Sequence, residues 1–272
     1  MLTLLFLAMD PTAFNLFGIS IQWYAVLIGI GAFLGYLLFK AEAQRMSISE
    51  DMILDLVFWA ILLGFIGARL YYVIFKWDYY SLNLDQILNI RGGGMAIYGG
   101  VLAGLASLWW MTKKNHIPLL NVLDAASPAM LLAQAIGRWG NFVNQEAYGE
   151  PVDRLFLQNL FLPDWIIDQM KIDGIYHHPT FLYESAWNII GFLLLLILRR
   201  RQGMLLRGEP AVFYLIWYGI GRAFIEGMRT DSLYLGPFRV SQWLSVILII
   251  FGIALRIYGR RHKYPFYLEQ MK

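Results

Sequence analysis

The chain has 272 residues, 58% of them hydrophobic and only 15% charged, with a mean hydropathy of +0.52 and a net charge of +3 at pH 7. That composition excludes an ordinary soluble enzyme and indicates a polytopic membrane protein, and the slight positive excess gives no sign of nucleic-acid binding. The absence of cysteine excludes a disulfide framework, a thiolate nucleophile and a cysteine-based metal site.

Met1–Ala8 is apolar, with no basic residues before it and no small-residue cleavage site before Asp10-Pro11. It reads as a surface-lying or buried N-terminal piece, not a cleaved signal. Seven segments are then long and apolar enough to span: Ile19–Phe39, Met52–Phe75, Met95–Met111, Leu119–Gly140, Thr180–Leu198, Pro210–Met228 and Val240–Tyr258. Breakers separate them at Arg91-Gly92-Gly93-Gly94, Ile117-Pro118, Gly208-Glu209-Pro210 and Gly236-Pro237. No internal repeat is evident, so the inverted-repeat signature of many transporters is missing.

The basic residues set the orientation. The loops after spans 1, 3 and 5 and the C-terminal tail hold 13 of the 22, among them Lys113, Lys114, Arg199, Arg200, Arg201, Arg260 and Arg261. The N-terminus and the other three loops hold six: Lys76, Arg91, Arg154, Lys171, Arg229 and Arg239. The expected fold is therefore an all-α polytopic membrane protein with seven transmembrane helices, N-terminus outside and C-terminus cytoplasmic. It forms a single catalytic domain over residues 1–272, with 147–178 as a small extracytoplasmic cap between spans 4 and 5.

The three remaining arginines, Arg69, Arg138 and Arg222, fall in the outer halves of spans. A buried charge there is expensive without a partner, so three mark a functional site. Arg222 has Glu226 four residues on and Tyr218 four residues back, on one helix face. The bland alternative for that pair is a structural lock between helices, and for Arg69 it is snorkelling to the interface. Arg138 opens the polar stretch Gly137-Arg138-Trp139-Gly140-Asn141-Phe142-Val143-Asn144-Gln145-Glu146, which needs a polar cavity or a ligand. His177-His178 lacks further ligands at helix spacing and reads as a cap or lining of span 5, so no metal is expected. Asp55 and Asp124 read as interfacial or paired, whereas Glu184 lies deeper in span 5 and is harder to dismiss.

The stretch from Gly137 to Glu146, with Tyr148-Gly149 after it, resembles the signature of bacterial prolipoprotein diacylglyceryl transferases. Further matches follow in order: Gln22-Trp23-Tyr24, Gly67-Ala68-Arg69-Leu70, Gly94-Met95-Ala96-Ile97-Tyr98-Gly99-Gly100, His178-Pro179-Thr180-Phe181-Leu182-Tyr183-Glu184, Tyr218 to Glu226, and Ser241-Gln242. The resemblance implies a seven-span enzyme of the bacterial cytoplasmic (inner) membrane. Its reaction would move the diacylglyceryl group of phosphatidylglycerol to the thiol of a lipobox cysteine in a prolipoprotein signal peptide. A thioether forms, glycerol 1-phosphate leaves, and no cofactor is implied. An anion transporter and a non-catalytic signal-peptide binder are the competing readings. A diacylglyceryl mass increment on a lipobox peptide distinguishes the enzyme from both.

On this reading Arg138, Arg222, Tyr98 and Glu226 are catalytic. A guanidinium holds two phosphate oxygens at once, which favours arginine over lysine. Asn141 and Asn144 share a face if the helix continues, and would bond glycerol hydroxyls or esters. Glu146 and Glu226 would orient the arginines, Tyr24 would offer a hydroxyl, and Arg69 and Tyr218 complete the substrate-binding set. Gly99, Gly100 and Gly140 would let a headgroup approach the backbone. Where many relatives carry histidine, this chain has Tyr98, a poor base because a phenol with a pKa of about 10 stays protonated at neutral pH. The arginine clamp is therefore expected to outweigh the base.

Overall fold

The structure, a computed structural model, describes residues 9–90, 93–232 and 234–271. Met1–Ala8 and the Arg91-Gly92 part of the predicted breaker lie outside the described residues. Among those described, the long helices are α1 (Trp23–Arg45), α2 (Glu50–Phe75), α4 (Ile97–Lys114), α5 (Leu119–Val143), α8 (Thr180–Leu198), α9 (Glu209–Glu226) and α10 (Val240–Arg261). Short helices α3 (Trp77–Tyr80), α6 (Arg154–Asn159) and α7 (Asp164–Gln169) sit between them. Each predicted span coincides with a long helix, and five (α1, α2, α5, α8 and α10) are both long and apolar enough to cross a membrane. At 18 residues each, α4 and α9 reach roughly 27 Å at 1.5 Å per residue, against a hydrocarbon core of about 30 Å. Large apolar side chains such as Phe33, Ile61, Ile74, Leu102, Leu193 and Ile250 face outward, as lipid-facing residues do.

Three small sheets add to the expected all-α plan. Strands β1 (Thr12–Leu16) and β2 (Ile19–Gln22) form an antiparallel hairpin turned at Phe17-Gly18, both at positive φ. Helix α1 therefore starts at Trp23 and not at Ile19: the first four residues of the predicted span pair as a strand. In the cap segment, β3 (Pro151–Val152), β4 (Lys171–Ile172) and β5 (Ile175–His177) form a sheet in the order β3-β5-β4. A last hairpin, β6 (Tyr234–Leu235) with β7 (Phe238–Arg239), leads into α10.

The chain divides into two compact units, one formed by Met1–Phe39 with Leu123–Met271 and the other by Lys40–Val122. In the second, α2 and α4 meet through glycines. A side chain at Gly67 would come within 2.3 Å of the Ala103 Cβ, and one at Gly99 within 2.2 Å of the Tyr71 Cβ. Within α2, Arg69 is buried and holds the connection to α4. Its Nε donates to Ile87 O (2.9 Å), Nη1 to Gly93 O and Gly94 O (3.0 and 2.8 Å), and Nη2 to Gln86 O and Asn89 O (2.7 and 2.8 Å). Those five bonds use all five guanidinium donors.

In the first unit, Gly31 and Gly35 of α1 lie against Ala133 and Ala129 of α5, small residues that let helix backbones approach. A reciprocal pair locks α8 to α9. The Trp187 and Trp217 rings stack at 4.2 Å, and each indole donates to the other's backbone carbonyl, at 2.9 and 3.0 Å. Each ring fills the space left by the glycine four residues beyond its partner: Trp217 lies over Gly191 and Trp187 over Gly221. Asp124 of α5, fully buried, accepts from Gly208 N (2.6 Å) and Ala211 N (3.1 Å) and so satisfies the first amides of α9. Gly208 (φ +89°) and Pro210 prepare that start by turning the chain and presetting helical φ.

The Trp–Gly lock predicts opposite outcomes for two glycines. Gly221→Ala places a Cβ 2.3 Å from the Trp187 indole nitrogen, so it should destabilise by about 1–3 kcal/mol, the usual cost of overpacking. Gly29→Ala meets nothing within 4 Å and should be neutral or slightly stabilising, since alanine favours helix. Thermal melting of both variants in detergent checks the pair; equal melting temperatures would show that the indoles give way.

Candidate active site

Three segments of the first unit converge on one carboxylate. Glu184, on the first turns of α8 and 6% exposed, places Oε2 at 2.7 Å from Arg138 Nε of α5. Its Oε1 accepts from Arg222 Nη1 of α9 at 3.3 Å and lies 3.9 Å from Arg229 Nη1, just past α9. Arg222 Nη2 in turn is 2.6 Å from Glu226 Oε2, one helical turn on. Arg229 is held by Asp231, at 2.9 and 2.6 Å. The result is a part-buried cluster of three arginines and three carboxylates.

Local packing holds these groups in place. Ser185, next to Glu184, donates to Ala135 O at 3.0 Å and accepts from Trp139 Nε1 at 3.3 Å, tying α8 to the residues flanking Arg138. Gln134 donates to Tyr214 OH at 2.8 Å and ties α5 to α9. On the capping side, Phe142, Leu157, Ile166, Ile167, Met170 and Phe181 form an apolar core beneath the loop, with Trp139 against it. The loop is pinned to the cluster's edge: Gly149 pairs with Arg229, and Glu150 N donates to Met228 O at 2.9 Å. A side chain at Gly149 would come within 2.7 Å of the His178 Cβ, so only glycine fits this closure.

Outside the helices, the Arg229 guanidinium bonded to Asp231 holds that carboxyl below its ordinary pKa. A depressed carboxylate stabilises the fold above its ordinary pKa and loses that contribution as pH falls. Burial lowers the His178 pKa, opposed by the charge of Glu150, so the ring is neutral at pH 7 and its Nδ1 pairs with Tyr183 OH at 3.1 Å. His177 Nδ1 donates to Gly149 O at 2.8 Å, a loop-holding role for the second histidine.

Several expected residues have partners other than those anticipated. Among the described residues Glu146 meets no arginine: its Oε1 accepts from Asn141 Nδ2 at 2.8 Å, and Asn141 Oδ1 accepts from Arg138 Nη1 at 3.4 Å. The arginine-orienting role falls to Glu184 instead. Helix α5 ends at Val143, so Asn144 begins the turn beyond it. With Asp10, Gln22 and Glu146, Asn144 lines an open cavity of about 590 Å³. Tyr24 packs its ring on Gly140, and Tyr71 and Gly64 O occupy the space beside Gly99 and Gly100. Each of these three glycines has protein atoms on the side where a Cβ would stand. Arg69 spends every donor on its loop, which gives it a positioning part in place of substrate contact. Tyr98 is 39% exposed on α4, in the other unit, and makes no hydrogen bond among the described residues. Tyr218 stacks at 5.9 Å on Tyr214.

Arg229 is not among the residues expected at the site, and Glu184 was singled out in span 5 without a role. Glu184 is the lone acid in an apolar run. Arg222, Glu226 and Arg229, spaced four and three apart, formed a pattern that could have brought Arg229 in.

The family model described as prolipoprotein diacylglyceryl transferase matches residues 11–258 of the chain. A phosphatidylglycerol–prolipoprotein diacylglyceryl transferase of Streptococcus sanguinis (strain SK36) is 51% identical over 263 residues, covering 96% of this chain and 99% of that protein. Proteins of the same name from Streptococcus pneumoniae serotype 4 and Listeria monocytogenes serotype 4a are 52% and 48% identical over 262 residues. Each alignment covers 96% of this chain, with 98% and 94% of those proteins. With nearly its whole length aligned and the arginine-bearing helices inside the matched region, the chain belongs to the prolipoprotein diacylglyceryl transferase family.

Proposed function

We infer that this chain transfers the diacylglyceryl group of phosphatidylglycerol to the thiol of the lipobox cysteine in prolipoprotein signal peptides, the first step of lipoprotein maturation. The observation that carries the reading is the convergence of Arg138 and Arg222, from different helices, on one buried carboxylate in a member of this family. Two guanidinium groups held by a two-oxygen anion are spaced to grip a phosphate. Among the described residues, Arg138 Nη2 and Arg222 Nε make no hydrogen bond, so donors remain for it.

The chemistry follows from those groups. The cysteine sulfur attacks the diacylglyceryl carbon bonded to the phosphate oxygen, and a C–S bond replaces the C–O bond. The breaking bond's electron pair goes to the phosphate, which leaves as glycerol 1-phosphate. Charge grows on the phosphate in the transition state, where fixed guanidinium donors act most strongly. The thiol proton needs an acceptor, and Glu226 has the attributes: it is 3% exposed, and Oε2 accepts no aligned hydrogen bond although Arg222 is close. Tyr98, a phenol, serves as a hydrogen-bond donor. Asn141, Asn144, Glu146 and Tyr24 surround the headgroup and Tyr218 lines it, while Arg69 braces the α2–α4 connection of its own unit.

The protein crosses the bacterial cytoplasmic membrane seven times as one catalytic domain, with α4 and α9 completing the set, the N-terminus outside and residues 147–178 as an external cap. Basic residues concentrated in the last turns of α1, α4 and α10 and in the loop after α8 support this orientation.

Arg138→Ala should cost on the order of a hundredfold or more in transfer to a lipobox peptide, and Tyr98→Phe at most about thirtyfold. Raising the pH from 7 to 8.5 supplies more thiolate and should partly rescue only Tyr98→Phe. Turnover of both purified variants, followed by mass spectrometry of the peptide thiol, tests the order. If Tyr98→Phe is the weaker enzyme at both pH values, Tyr98 is the central acid–base residue.

Orientation is open to a separate check, because the chain has no native cysteine. An impermeant thiol reagent applied to intact cells should label Lys171→Cys and spare Lys113→Cys. Labelling of the latter would invert the topology.

A further inference from the structure

We propose that Glu184 is the resident counter-anion of the phosphate site: it occupies the arginines while lipid is absent and yields them when a phosphate arrives. This rests on the transfer reading only for the identity of the anion.

The three carboxylates of the cluster are bound in different ways. Glu226 pairs with Arg222 on its own helix, and Asp231 pairs with Arg229 two residues away. Both are local pairs that persist wherever their segments go. Glu184 alone joins segments far apart in sequence, with one oxygen toward Arg138 and the other toward Arg222 and Arg229. A phosphate held by the same two arginines would present two oxygens to the same two places.

Charge balance points the same way. Arg138, Arg222 and Arg229 are matched one for one by Glu184, Glu226 and Asp231, so the cluster is neutral as it stands. An anion entering a neutral, part-buried cluster gains little unless a resident carboxylate gives up its contacts. The hold of Glu184 on its hydrogen-bond donors is weak. Its bond from Arg222 is long, at 3.3 Å, and the 2.7 Å contact with Arg138 Nε is an ion pair without an aligned N–H. Glu184 is thus a positioning residue. It holds the arginines around one point, and it sets how tightly the site holds an anion, including the departing glycerol phosphate.

A competitor of this kind has a signature that a structural strut lacks: removing its charge tightens anion binding. In full-length Glu184→Gln, inhibition by glycerol 1-phosphate should become stronger by roughly tenfold, the effect of losing one nearby negative charge at partial burial. Turnover should fall because the product stays longer. Glu184→Asp keeps the charge and should keep the inhibition constant within about twofold.

If Glu184→Gln is unstable alone, its melting in detergent is measured with and without inorganic phosphate or glycerol 1-phosphate. Recovery of the wild-type melting temperature by either anion supports the proposal, since the cluster then needs an anion in place of Glu184. Unchanged or weaker inhibition in a folded Glu184→Gln overturns it, as does instability that neither anion relieves. Anion binding is read without turnover, so a wild-type protein that binds these anions but transfers no diacylglyceryl group would overturn the proposed activity and leave the role of Glu184 standing.

Discussion

The ion pairs of Glu184 with Arg138 and Arg222 govern much of the surrounding architecture. Ionised groups cost several kcal/mol each to remove from water, and their attraction offsets that cost only when the geometry is held. The neighbouring contacts provide that hold. The Trp187–Trp217 stack fixes α8 against α9, Ser185 fixes α8 against α5, and Gln134 with Tyr214 closes the third side. Asp124 does the same at the far end of α9 by accepting its first amides. Breaking one helix contact would leave a buried charge short of its partner, which is more costly than lost packing alone.

Three arginines of this chain show how donor use separates structure from chemistry. Arg69 has five donors and gives all five to backbone carbonyls of one loop, with the Tyr80 ring 5.2 Å away. Neutral carbonyls leave its charge uncancelled while using up its hydrogen bonds, so it organises backbone and has no donor to spare. Arg138 and Arg222 are held by charge, with hydrogen bonds to spare. Carboxylates compensate them without exhausting the guanidinium edge, the condition for exchanging one anion for another.

The cap segment is joined to the site by backbone contacts. Gly149 pairs with Arg229, Glu150 N with Met228 O, and His178 N with Glu150 O, so the loop and the turn after α9 share one short ladder. Gln169 donates to the carbonyls of Phe142 and Val143 at the end of α5, satisfying groups that the helix leaves open. The loop is thus attached at both the arginine side and the asparagine side, and its apolar core keeps it folded.

Periodicity and composition by themselves located the seven long helices, though not their ends, since α1 runs from Trp23 to Arg45 where Ile19–Phe39 was expected. An apolar run bounded by glycine and proline signals a helix but leaves its last turns to local pairing and capping. Spacing also disclosed the Arg222–Glu226 pair, since residues four apart on a helix must meet. What lay beyond the sequence was every partner chosen across helices. That Glu184 takes the arginines while Glu146 turns to Asn141 depends on which faces of α5, α8 and α9 are opposed. That Gly99, Gly100 and Gly140 receive protein atoms depends on how near one backbone comes to another segment. The strand at Ile19–Gln22 was hidden for the same reason: its apolar residues suit either conformation, and only pairing with Thr12–Leu16 selects one. Local sequence sets which groups must find partners, and tertiary packing decides which partners they find.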